Sequence, residues 1–140
     1  QQRDLLVRLV RSGIPSLGYS AGAAITARHA VVGGWKHQGR QVAPELAGEG
    51  STEMVIRDGL GLIGPAVETH ADTHSIVTRA IAALQIGPMS SVVAIDEGTC
   101  LAIDTSSGRT AIVGQGQVTW VTREGDSFLV RPEPGTAAAQ

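Results

Sequence analysis

The stretch IPSLGYSAGAAI, residues 14–25, is a short apolar run that halts at a serine between glycines and resumes in tiny residues. Ile14 to Tyr19 reads as a buried strand, and Ala21 to Ala30 as a helix of small residues. Upstream, residues 2–11 (QRDLLVRLVR) space Leu5, Leu6, Leu9 and Val10 on one helical face, with Ser12-Gly13 as the stop. Helix, strand, sharp turn, helix is the beat of a parallel α/β sheet, so the expected fold class is α/β. Gly18-Tyr19-Ser20-Ala21-Gly22 also matches G-x-S-x-G, in which a strand turns at once into a helix and presents the serine in a strained conformation. Flanking glycines keep bulk away from the crossing, and the helix start offers free N–H groups, Ala21 first, to an oxyanion. The same residues also suit a tight turn in which Ser20 merely caps the helix.

Downstream, residues 33–53 form a long polar, Gly-rich connection. Ala66 to Thr69 reads as a strand. Residues 72–84 (DTHSIVTRAIAAL) read as one helix with Ile76, Ala80, Ala83 and Leu84 on a shared face and Asp72 or Thr73 as cap. From Ser91 the pattern becomes β: SVVAID, TCLAID, TAIVG, VTWVT and SFLVR alternate with turn residues. The coarse architecture is a block of α/β units followed by a β-meander over residues 1–131. The tail, residues 132–140, is expected to be disordered.

Composition narrows the function classes. Lys and Arg total 11 and are scattered in a chain of net charge -2, which argues against nucleic acid. No apolar run approaches the roughly 20 residues that span a bilayer, so no membrane partner is expected. Cys100 is the only cysteine, which excludes an intrachain disulfide and fits a reducing compartment, the cytoplasm. With aromatics at 3%, the core must be built from Val, Ile, Leu and Ala.

A serine hydroxyl attacks a carbonyl only when a base takes its proton, most often a histidine oriented by a carboxylate. His29 lies in the small-residue helix and His37 in the polar loop. His70 and His74, in ETHADTH, stand at a strand-to-helix junction, where Glu68 and Asp72 also raise the possibility of a metal. Asp96-Glu97 ends a strand-like run, where strand termini meet ligands in parallel sheets. Ser…His…Glu departs from the Ser…Asp/Glu…His order of α/β-hydrolases, which would require Asp58 as the acid.

Three blocks resemble peptidase family S51, the cyanophycinase and dipeptidase E type serine peptidases, whose fold is similar to class I glutamine amidotransferases. GYSAGA resembles the family's nucleophile block, DGLGLI with VETH its GLGLL…DQH block, and VAIDEGT with GQGQV its IDE-x-T and G-x-G-x-V blocks. Together they span about residues 13 to 121. The resemblance implies a parallel-sheet sandwich, incomplete at its N-terminus, with a C-terminal β-meander, and makes residues 1–131 the C-terminal half of a larger α/β domain. It implies Ser20 as nucleophile, His70 as general base and Glu97 as the orienting carboxylate, with the Ala21 N–H in the oxyanion hole. It places substrate contacts at Thr69, His74, Arg79 and Thr99, and Glu68 where the family has Asp. No cofactor or metal is implied. The first two arginines of the family's R-x-R-x-x-R stretch are replaced by His74 and Ile76, and the glutamine before the histidine by Thr69. In the family the elbow lies mid-chain after several strands, so an N-terminal half or a second chain is expected to complete the sheet, and a homodimer is open. The implied activity is hydrolysis of a peptide or isopeptide bond of aspartyl or β-aspartyl type through an acyl-enzyme. The alternatives are a non-catalytic binding or regulatory member of the same fold, and an esterase or amidase using the same serine.

Overall fold

The structure, a computed structural model, describes residues 2–136. Its helices are α1 (Gln2–Arg11), α2 (Ala21–Ala24), α3 (Ala71–His74) and α4 (Val77–Ile86). Its strands are β1 (His29–Gly33), β2 (Lys36–His37), β3 (Arg40–Gln41), β4 (Val55–Asp58), β5 (Ala66–Thr69), β6 (Ser91–Ile95), β7 (Thr99–Ile103), β8 (Thr110–Gly114), β9 (Gln117–Glu124) and β10 (Ser127–Pro134), with a 3-10 turn at Glu45–Gly48.

The chain is mixed α/β, and its central sheet has the order β10-β9-β6-β5. Only β5 and β6 run parallel, with Ala66 opposite Val92 and Thr69 opposite Ile95. β9 pairs antiparallel with both β6 and β10. The described sheet is therefore mixed, where a parallel one was expected. The five C-terminal strands fall where their sequence runs place them, but they do not form a simple meander. Among the strands, β7 and β8 pair only with each other and leave the sheet as a hairpin, so that β6 meets β9 directly.

Burial explains the β6 sequence. Val92 packs with Ala80, Ala83 and Leu84 of α4 on one face. Val93 turns to the other face, beside Val67 and Val118, where Ala23, Leu101 and Ile112 cover it. A strand covered on both faces needs apolar residues at successive positions, so SVVAI runs without alternation.

Several local expectations yield to tertiary contacts. Residues 14–19 form no strand; Leu17 is 89% and Tyr19 80% exposed, and Pro15 has no N–H to give a ladder. No described strand pairs with this segment to satisfy its backbone. The helix expected to reach Ala30 stops at Ala24, and His29 opens β1 instead. There Ala30 and Val31 are buried as β1 pairs with β4, a gain that outweighs the helix propensity of alanine. The helix expected over 72–84 is split by Ser75, whose φ is 48°. Its predicted inner face nevertheless holds: Ile76, Ala80, Ala83 and Leu84 are all buried. The tail departs from disorder at its start, since Pro132 to Pro134 belong to β10 and Thr136 bridges Val113. Residues 137–140 lie outside the described residues. Among the described residues no helix is long and apolar enough to cross a membrane.

Candidate active site

β5 and β6 are parallel neighbours, so their C-terminal ends lie together at one edge of the sheet. His70 follows the last residue of β5, and Glu97 stands two residues beyond β6. The segment Gly18 to Ala24 packs α2 on β5, over the face of Val67 and Val93, and brings Ser20 to the same edge.

Ser20 has φ 48° and ψ -120°, a conformation rarely held by a residue with a Cβ and costing on the order of 1–3 kcal/mol. The cap reading fails on geometry: Ser20 makes no side-chain cap hydrogen bond. Its Oγ lies 3.0 Å from His70 Nε2. His70 Nδ1 in turn donates to Glu97 Oε1. That acceptor assigns the tautomer: the proton sits on Nδ1, and Nε2 is free to accept from the serine. His70 itself is left-handed, with φ 61°.

The elbow glycines divide. A Cβ on Gly18 would lie 2.6 Å from Gly22 O and 2.7 Å from Ala23 Cα, whereas one on Gly22 would meet nothing within 4 Å. Only Gly18 is required by the crossing. Gly18→Ala is therefore expected to destabilise the chain by roughly 1–3 kcal/mol and displace Ser20, while Gly22→Ala stays within about 0.5 kcal/mol of the parent; thermal unfolding of both variants checks this. α2 is a single turn, so its dipole adds little. What it contributes is a donor: the Ala21 N–H has no acceptor among the described residues.

Ser20, Ala21, Thr69, His70 and His74 line a cleft of about 180 Å³. The His74 ring lies 5.2 Å from that of His70. Arg79 reaches this cleft but is turned inward. Its Nε and Nη2 donate to the two Glu68 oxygens at 3.0 and 2.6 Å, and its Nη1 donates to the carbonyls of Gly34 and Ala47. Expected as a substrate contact, it lines the cleft with its donors committed to a buried clamp that joins β5, α4, Gly34 and the 3-10 turn. Burial drives the Glu68 carboxyl above its ordinary range, and the Arg79 charge offsets only part of that rise. Thr99, also expected at the substrate, is likewise committed: its Oγ1 donates to Glu97 O at 3.2 Å and accepts from Gly116 N at 3.1 Å.

The remaining candidates resolve simply. Asp58 faces His29, with 3.4 Å between Oδ1 and Nδ1, and His37 lies on the β2 ribbon. Among the described residues no group of three or more His, Cys, Asp or Glu is arranged to hold a metal ion. Both ring nitrogens of His70 already have partners. A wider groove, about 490 Å³, lies between Met54, Asp58 and Pro88, away from the serine.

Two contacts near Glu97 had no local signal in the sequence. Asp72, readable as a helix cap, accepts the Glu97 N–H at 3.0 Å. Asp96 accepts the Gln117 N–H at 3.0 Å. Their partners lie 25 and 21 residues away, beyond the reach of any periodicity. No protein-family model matches the chain, and no solved structure matches it significantly.

Proposed function

We propose that this chain carries the catalytic triad of a serine hydrolase resembling the S51 peptidases, cleaving a peptide or isopeptide bond of aspartyl or β-aspartyl type. The observation that carries the reading is the continuous hydrogen-bonded chain from Ser20 Oγ through His70 to Glu97, built on a serine at positive φ.

In this mechanism Ser20 Oγ attacks the substrate carbonyl carbon as its proton passes to His70 Nε2. Glu97 holds the Nδ1 proton and stabilises the imidazolium. The Ala21 N–H donates to the developing oxyanion. As the tetrahedral species collapses, His70 returns the proton to the leaving amine and an acyl-Ser20 ester remains. Water, deprotonated by His70, attacks that ester, and the released serine recovers its proton. The chain's own residues perform every proton transfer, so no cofactor enters.

An amidotransferase-like sheet is part of this reading. It is supported by parallel β5 and β6 presenting His70 and Glu97 at one edge, with α4 packed on one face. A further polypeptide segment, an N-terminal half or a second chain, would cover the exposed Leu5, Leu6, Ile14 and Leu17 and supply a second oxyanion donor. With Arg79 paired to Glu68, the cleft offers no free guanidinium among the described residues.

A fluorophosphonate probe tests the proposal. Ser20 is expected to be labelled in the full chain, and Ser20→Ala to abolish labelling. An unlabelled Ser20 in folded protein overturns the hydrolase reading. Faster turnover of simple esters than of aspartyl dipeptides would assign the same serine to an esterase.

A further inference from the structure

The turn that carries Glu97 is exposed, and the glycine after it, Gly98, has φ 63°. Such a turn holds a carboxylate in place only if its backbone is tied down. Two side chains fasten its flanks to the start of β9: Asp96 Oδ2 accepts from Gln117 N, and Thr99 Oγ1 accepts from Gly116 N. Neither reaches the histidine. The tie to the His70 side is Asp72, in the single turn α3 that follows His70, whose Oδ1 accepts the Glu97 N–H.

We propose that Asp72 is a positioning residue that sets the distance between His70 and Glu97 by holding the Glu97 main-chain amide. The proposal rests on the Ser20–His70–Glu97 reading. Asp72 is near enough in sequence to His70 to move with it, and its acceptor oxygen fixes the opposite loop to the same short helix. The Glu97 amide, above all, with the Thr73 and Asp72 amides as smaller influences, keeps the Asp72 carboxyl below the usual carboxylate range, so the acceptor is ionised at neutral pH. Asp72 is also exposed, so its replacement leaves no buried void. Its effect is therefore separable from folding. Misplacing a catalytic group by about 1 Å costs up to about a hundredfold in rate.

The test compares Asp72→Ala with Asp72→Asn in the full chain, by fluorophosphonate labelling of Ser20 and by hydrogen exchange of the Glu97 amide in NMR spectra. Asp72→Ala is expected to slow labelling about tenfold or more and to speed Glu97 exchange about tenfold. Asp72→Asn, which keeps a carbonyl acceptor, should recover labelling to within about threefold of the parent. In a Glu97→Ala background Asp72→Ala should slow labelling no further, since the group it positions is gone. Unchanged labelling and exchange in Asp72→Ala overturns the proposal, as does an Asn variant no better than Ala, or a full additive loss in the Glu97→Ala background. If the parent itself is not labelled, the hydrolase reading fails, and the positioning of a catalytic carboxylate fails with it. The exchange rates then report separately whether the Asp72–Glu97 tie exists.

Discussion

His70→Asn is expected to slow acylation of Ser20 by about 10⁴-fold or more, the loss that follows removal of the base from a serine triad. Asparagine is chosen because His70 has φ 61°, a left-handed conformation that asparagine tolerates better than alanine. Backbone strain is thus held nearly constant while the base is removed. The amide of asparagine cannot accept a proton from Ser20 Oγ, now 3.0 Å from His70 Nε2. Residual labelling would then come only from binding and the Ala21 N–H. Labelling rates of parent and variant, compared after equal thermal melts, check the prediction. A variant within tenfold of its parent would mean that the 3.0 Å contact is structural and that Ser20 finds its base elsewhere.

The second large effect is on stability. Arg79→Met leaves the Glu68 carboxyl, 3% exposed, without its guanidinium and is expected to cost about 3–5 kcal/mol. In a chain of this size that lowers the thermal midpoint by about 10 °C or more. Gly34 and Ala47 also lose their shared donor, so the loop beside the cleft loosens. The pH dependence has a definite sign. Burial raises the Glu68 carboxyl, and with Arg79 gone nothing opposes that shift. The folded variant then retains a proton that the unfolded chain releases as pH rises through the ordinary carboxylate range. Its stability accordingly falls with rising pH, and its deficit is smaller in mildly acidic buffer than at neutral pH. Glu68→Leu added to Arg79→Met should recover most of the loss, because a buried pair replaced by apolar side chains is close to neutral. Equal melts for parent and Arg79→Met would show that the pair is solvated. Chemical and thermal denaturation across the acid range read the parent and both variants.

Legibility in this chain follows interaction range. The five C-terminal strands, β5 and the buried face of α4 were visible because each is a local hydrophobic pattern whose period survives in the fold. The sharp turn at Ser20 was visible for a similar reason. Gly18 must admit the backbone of Gly22 and Ala23 within a few residues of itself. Ser20, His70 and Glu97 could be named from motif blocks, and the parallel pairing of β5 with β6 brings the last two to one edge.

What the sequence by itself determined, then, is the run of short β elements, the inward face of α4 and the serine elbow, all properties of neighbouring residues. The tertiary structure decided the rest. It left residues 14–19 unpaired with any described strand, and it drew His29–Gly33 out of a helix into pairing with β4. It folded β7–β8 out of the sheet, making the sheet mixed. Arg79 became a buried clamp and Asp72 the tie to Glu97. The β1–β4 and β6–β9 pairings, the Arg79 clamp and the Asp72 tie each depend on a hydrogen bond or ion pair between segments far apart in the chain, where local propensity carries no information about the partner.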